Sequence, residues 1–236
     1  MNVIGISDLH GQLYPPDQLE CDLLLIAGDI CPLHEHSITG YAMQSIWLDE
    51  KFRPWLKEVP AKYIVAICGN HDVVFEKFPK EVPSDLPWHY LQDNSITIKG
   101  LKIYGTPYTN WFLDWAFNLD KDDPNETKLR LCFEQIPNDT DILMTHGPPH
   151  GILDQIAGVG DHLGSVALRE RVFKVKPRLH VHGHIHSAIN PTDLSYPDPK
   201  VMEIKIDDGD EKITFANVSV LDEDYKIAYK PFRMEL

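Results

Sequence analysis

The chain has 236 residues, with 22 lysines and arginines against 36 aspartates and glutamates, a formal net charge of −14. That balance argues against a nucleic-acid partner, because the summed field repels long runs of phosphate. An apolar content of 43% is enough for a folded α/β core, the length suits one domain over residues 1–236, and no apolar run nears the ~18 residues that a membrane span needs.

Short Val/Ile/Leu runs recur along the chain, as in strands buried on both faces. "NVIGIS" (2–7) stops at Asp8-Leu9-His10-Gly11, and "LLLIAG" (23–28) stops at Asp29. Residues 35–56 read as an amphipathic helix that ends or kinks at Pro54. "KYIVAICG" (62–69) stops at Asn70-His71-Asp72. "SITIKGLKIYGTP" (95–107) alternates and turns at Lys99-Gly100, a hairpin signal. The aromatic stretch "NWFLDWAFN" (110–118) reads as core or lid packing, with a base-stacking platform as the sharper alternative. An acidic run, 120–126, opens a helix predicted over 124–136 and lacks the spacing of a calcium loop.

"DILMT" (141–145) then stops at His146-Gly147. A helix over 162–174 is expected to start from Asp161 and to bury Leu163, Val166 and Ala167. "RLHVHG" (178–183) stops at His184, and residues 191–199 are the loosest segment. A second hairpin is expected over 201–220 around Asp207-Asp208-Gly209-Asp210, and a further strand in "KIAYKPF" (226–232). The start carries no basic run like that of a secretory leader, and the four cysteines form no C-x-x-C, so reduced thiols and a cytoplasmic protein are expected.

Polar clusters at the carboxyl ends of strands are where open α/β sheets place their sites. Five such clusters stand in order: Asp8-x-His10, Gly28-Asp29, Gly69-Asn70-His71-Asp72, His146-Gly147 and Gly183-His184-x-His186. Each alone is weak; the ordered set is strong. It offers Asp, Asn and His with no cysteine, which suits Mn, Fe, Zn or Mg. There are more donors than one tetrahedral ion uses, so two ions sharing a carboxylate are implied. Within "LHVHGHIHS" (179–187), His180, His182, His184 and His186 alternate and would share one face of a strand. A metal comb, a structural ladder, or two of each all fit the nonapeptide.

The five motifs together resemble the calcineurin-like metallophosphoesterase superfamily. The likeness continues through "GTPYTNWFLDWAFN", "THGPPHGILD", "GDHLGS" and "FANVSVLDEDY", which look like a subfamily of small metallophosphoesterases, some described as phosphodiesterases. The resemblance implies an α/β fold, a four-layer α/β/β/α sandwich with its site at the carboxyl ends of the strands. It implies one metal on Asp8, His10, Asp29 and His186, and a second on Asp29, Asn70, His146 and His184, with Asp29 shared and His71 near the substrate. The metals would be divalent or trivalent (Mn, Fe, Zn, Ni or Mg, with Mn favoured), and hydroxide held between them would attack phosphorus directly. His182, and His180 more so, are then read as packed or supporting rather than ligating.

The expected partner is a small phosphate ester, with nucleotides among the candidates and diesters ahead of monoesters. A metal-holding scaffold that has lost turnover is the alternative. Protein Ser/Thr phosphatases of this superfamily follow Gly-Asp with a second Asp and Arg-Gly. "GDICPLHE" (28–35) departs from that pattern, so what orients His71 is open, and Asp72 is only its neighbour in sequence. His34, His36 and His89 read as surface residues. His150 and His162 stand between lining the pocket and packing.

Overall fold

The computed structural model describes residues 1–33, 37–156, 160–189, 200–206 and 211–236. The predicted hairpin turn at 207–210, the loose segment 191–199, and His34 and His36 lie outside the described residues.

Strands β1 (Asn2–Ile6), β2 (Cys21–Ala27), β3 (Ala61–Ile67) and the short β4 (His89–Tyr90) run parallel in one sheet. A second sheet holds β5 (Asn94–Ile98), β6 (Leu101–Thr106), β9 (Ile142–Thr145), β10 (Leu179–His182), β11 (Val201–Lys205) and β12 (Lys212–Asn217), in the order β11-β12-β10-β9-β6-β5. A two-stranded ribbon pairs β7 (Thr109–Asn110) with β8 (Asn118–Leu119). The last strand, β13 (Phe232–Glu235), closes the first sheet antiparallel to β1. The strand expected over 226–232 is therefore displaced. Only Phe232 of it is in a strand, because Gly5 to Asn2 of β1 pair with residues 232–235.

Three apolar clusters define four layers. Val3, Leu23, Leu25 and Val65 of the first sheet meet Ile103, Ile142, Met144 and Val181 of the second. The outer face of the first sheet (Ile4, Leu24, Ile26, Ala66) packs on Leu48, Phe52, Trp55 and Leu56. The outer face of the second (Tyr104, Leu143, Phe215) packs on Leu129, Phe133, Leu168 and Val172. The expected α/β/β/α sandwich follows from this alternation, since side chains of successive strand residues face opposite sides.

The helices differ in detail from their sequence pattern. The first is α1 (Ile38–Trp47), capped by Ser37 Oγ, which accepts from Gly40 N at 3.1 Å. A π-helical turn (Leu48–Phe52) joins it to α2 (Arg53–Glu58). Pro54 thus does not end the run; it sits in the first turn of α2, where no amide donor is required. A short helix, α3 (Val73–Lys77), follows β3, and α4 spans Thr127–Glu134. The fifth, α5 (Val166–Val175), is capped by Ser165 rather than Asp161, with Ser165 Oγ accepting from Leu168 N at 3.0 Å. Its buried face is Ala167, Leu168, Val172 and Val175, whereas Leu163 and Val166 are exposed. Starting the helix four residues late rotates the apolar stripe. The hairpin β5–β6 turns at Lys99-Gly100 as predicted, both residues at positive φ.

Candidate metal centre

The loops after β1, β2 and β3 come from the first sheet, and those after β9 and β10 from the second. All five strands are parallel to a neighbour in their sheet, so their carboxyl ends gather on one rim. The two sheets are stitched there: Ser7 N donates to Val218 O at 2.8 Å, and Val220 N donates to Ser7 O at 3.2 Å. Asp8, His10, Asp29 and His184 have φ of 56°, 43°, 51° and 69°. Non-glycine residues rarely adopt this left-handed region, and it clusters at functional sites. Backbone bonds hold the bends, among them Asp8 N to Gly28 O at 3.0 Å and His10 N to Asp29 O at 2.9 Å. Glycine is required at 183 because a Cβ there would lie 2.1 Å from Ser7 Oγ and 2.2 Å from Asp8 Oδ2.

The rim brings together Asp8, His10, Asp29, Asn70, His71, His146, His184 and His186. Donor atoms of Asp8, His10 and His186 lie within 4.8 Å of one another, as do those of Asp29, His146 and His184, and those of His10, Asp29 and His71. His186 Nε2 is 3.6 Å from Asp8 Oδ1 and 3.3 Å from His10 Nε2, and His10 Nε2 is 3.6 Å from Asp29 Oδ2. On the other side of the same carboxylate, Asp29 Oδ2 is 3.3 Å from His146 Nε2, which is 2.9 Å from Asn70 Oδ1.

These contacts fit a cation. His146 Nδ1 lies 2.9 Å from Ala27 O, and His186 Nδ1 lies 2.9 Å from Asp222 O. Each Nδ1 therefore carries the proton, and each Nε2 turns its lone pair on the carboxylates. His146 Nε2 then faces two oxygen acceptors with no hydrogen between them, an arrangement a bound metal or a proton must resolve.

The titration of the metal-free groups says the same. Burial alone would lower His146, but the charge and hydrogen bond of Asp29 outweigh it and push the imidazole up to about 9. Burial likewise lowers His186, and Asp8 reverses it to about 9. Asp8 and Asp29 are fully buried, which raises them, yet His186 and His146 respectively hold them below the usual carboxylate range. Protons on two histidines thus balance the two buried carboxylates. Burial lowers His10 to about 4 and His184 to about 3, which keeps both neutral and available as ligands.

A surrounding frame fixes these donors. Asp8 Oδ2 accepts from Ser7 Oγ at 2.5 Å, and Asp8 Oδ1 accepts from His184 N at 3.0 Å. Asp29 Oδ1 accepts from His71 N at 2.7 Å. The buried Asp72 carboxylate accepts from Ile30 N (2.9 Å), Cys31 N (2.8 Å) and Gly69 N (2.8 Å). It thereby ties the Asp29 loop to the Asn70-His71 loop. Gln44 of α1 donates to His71 O at 2.7 Å and accepts from Val74 N at 3.0 Å. So the His71 backbone is held by Asp29 at its amide and by Gln44 at its carbonyl, and its ring lies 4.1 Å from that of Trp115. Gln44 carried no sequence signal. Neither did Lys200, which is buried and donates to His186 O at 2.8 Å.

A cleft of about 280 Å³ opens over the cluster, walled by Trp111, Phe112, Trp115, Ile156, Leu163 and Tyr225. The aromatic stretch 110–118 is therefore divided. Ala116 and Phe117 are core, whereas Trp111, Phe112 and Trp115 face the cleft. Among the described residues no lysine or arginine lines it, and Glu223 does. A larger groove of about 620 Å³ at Asn2, Cys21, Ala61 and Arg233 sits at the amino ends of the strands and contains none of the clustered donors. His180 and His182 are buried within β10, outside the cluster. His150 and His162 do not line the cleft; their rings lie 5.2 Å apart, and His162 Nδ1 is 2.6 Å from Asp154 Oδ1. His89 is exposed. The acidic run before α4 caps it: Asp120 accepts from Lys128 N and Leu129 N, and Asp123 accepts from Thr127 N.

A family model described as calcineurin-like phosphoesterase matches residues 1–188. Metallophosphoesterase domain-containing protein 1 of Homo sapiens is 32% identical over 258 residues, covering 99% of this chain and 70% of that protein, and the Mus musculus protein matches to the same extent. One crystal structure aligns with TM-score 0.62 at 14% identity, over 92% of this chain and 89% of that one. The crystal structure of TT1561 of Thermus thermophilus aligns with TM-score 0.50 at 14% identity, over 93% and 90%. These two likenesses show the fold. The chain belongs to the calcineurin-like phosphoesterase family, a family of metal-dependent phosphoester hydrolases.

Proposed function

We propose that this calcineurin-like phosphoesterase hydrolyses small phosphodiesters at two metal ions, one held by Asp8, His10, Asp29 and His186, the other by Asp29, Asn70, His146 and His184. The observation that carries this reading is Asp29. Its Oδ2 lies between His10 Nε2 at 3.6 Å and His146 Nε2 at 3.3 Å, so it belongs to both donor sets. When bound, two divalent ions lower the pKa of water toward ~7 and neutralise phosphoryl oxygens. The oxygen and nitrogen donors suit Mn, Fe, Zn, Ni or Mg, and Mn is the first to test.

The chain's own groups set the rest. Asn70 offers a neutral oxygen, which leaves more positive charge for the substrate than a carboxylate would. His71, fixed by its amide on Asp29 Oδ1, directs a ring N–H to a phosphoryl oxygen or to the departing oxygen. General-acid help of this kind is worth about 10²–10⁴-fold. The cleft's charge favours diesters. A monoester brings a second negative charge, and among the described residues the lining supplies Glu223 but no lysine or arginine to meet it.

The test is hydrolysis of bis(p-nitrophenyl) phosphate and p-nitrophenyl phosphate with added manganese, together with elemental analysis. The diester should be cleaved with the higher kcat/KM. Asp29→Ala should abolish turnover and lower metal content; His71→Ala should keep both metals and lose about 10²–10⁴ in kcat. Both ions bound with neither ester cleaved would leave a metal-holding scaffold instead.

A further inference from the structure

A line of rings leads out of the metal cluster to the mouth of the cleft. The Tyr225 ring lies 4.9 Å from His10, His10 lies 4.9 Å from His71, His71 lies 4.1 Å from Trp115, and Trp115 lies 5.3 Å from Phe112. The last pair meets edge to face at 78°. Phe112 is 51% exposed and Leu163 43%, yet both wall the cleft. Apolar side chains left in water beside a recessed polar centre mark a surface that a ligand covers. A group attached to phosphorus on the His71 side has to pass along Trp115 and Phe112.

We propose that Trp115 and Phe112 form the subsite for the substituent on phosphorus, and that it takes an uncharged planar aromatic ring. This rests on the phosphoester reading of the metal centre. Ring faces and edges select for planar aromatic groups over alkyl groups of similar polarity, because the quadrupoles of stacked or edge-on rings are complementary. The charge of the lining selects against a second anion. Among the described residues Glu223 adds a negative charge to the lining, and Lys121, the nearby cation, has its Nζ 4.8 Å over the ring of Trp111 rather than over Phe112 or Trp115. Substrates with one phosphoryl group and an aryl or heteroaryl substituent fit. Diphosphates and substrates with a carboxylated substituent do not.

The experiment uses the full chain loaded with manganese and two inert probes, phenylphosphonate and methylphosphonate, titrated by calorimetry at about pH 6, where each carries chiefly one negative charge. Phenylphosphonate should bind at least about tenfold tighter, the lower part of the range for stacking on an aromatic side chain. Phe112→Ala and Trp115→Ala should each shrink that ratio severalfold, and Trp115→Phe should retain most of it. Phe112 is half exposed, so its alanine variant decides the matter if Trp115→Ala does not fold. Equal affinities in the unmodified chain, no binding of either probe, or a ratio unchanged in Phe112→Ala overturns the subsite. The probes are not cleaved, so a chain that prefers phenylphosphonate but hydrolyses no ester keeps the subsite and loses the proposed catalysis.

Discussion

Four histidines at alternate positions, 180 to 186, meet two different fates within seven residues. His180 and His182 are fully buried in β10. His180 Nε2 lies 2.9 Å from Thr145 Oγ1, and its ring packs 5.6 Å from Phe215, on the helix side of the second sheet. Neither ring nitrogen of His182 has a well-formed hydrogen-bond partner. His184 and His186 lie past Gly183, where His184 turns to φ 69° and the chain leaves the strand. Their rings join Asp29 and His146 in one case and Asp8 and His10 in the other. The same residue type at the same spacing is packing while the strand lasts and cluster once it ends. Periodicity along a strand is a statement about its faces, and it expires at the glycine.

The largest expected effects should divide along that glycine. His184→Ala and His186→Ala should each lower metal content by elemental analysis and reduce turnover by more than about 100-fold, the upper end of what losing a mere outer partner does. His180→Phe should leave metal content unchanged. If the strand variant also loses metal, the division is wrong.

Next in size is the pH dependence of the metal-free protein, which sharpens the contrast into two limbs. Burial lowers His182 to about 4, and His10 and His184 behave alike. The unfolded chain then takes up protons that the folded chain refuses, so stability should fall as pH drops from 6.5 toward 4. His146 and His186 are raised to about 9. Their contribution is complete below 6.5 and is lost as pH rises through 9. Thermal melts of chelated protein should therefore peak near pH 6.5. In the proposed centre metal takes the place of the two protons, so the loaded protein should keep its stability to pH 9, and a loaded protein that follows the alkaline limb would contradict the proposed ligand roles of His146 and His186.

The smallest effect concerns His182. Replacing a buried, poorly partnered ring by an apolar side chain should change stability by no more than about 1 kcal/mol. Denaturant melts of His182→Leu should also show a weaker acid limb at unchanged metal content. A loss of several kcal/mol would mean that His182 supports the site.

The frame around the site was only partly legible. Five motif-bearing loops were read because each closes an apolar run, and a run of Val, Ile and Leu ending at Asp, Asn or His is a local signal. Gln44, Asp72 and Lys200 act through hydrogen bonds to distant backbone atoms, Gln44 on the carbonyl of His71 and Asp72 on the amides of Ile30 and Cys31; Asp72 is legible as part of its motif, but which backbone atom a side chain will meet is not written in its type. The apolar face of α5 departs from its sequence pattern for a related reason: Leu163 and Val166 look like core in a helical pattern, but the helix begins only after Ser165, and Leu163 lines the cleft.

From its amino acids alone the chain specified strands buried on both faces, the α/β class and the donor types at their ends, because side-chain period and residue chemistry are local properties. Which donors share an ion-sized space, which way the His71 loop faces, and that Trp115 and Phe112 wall a cleft while Ala116 and Phe117 beside them turn inward were decided by the packing of two sheets against each other. Convergence of distant loops depends on the register and twist of strands that are not neighbours in sequence, and that information exists only once the sheets have formed.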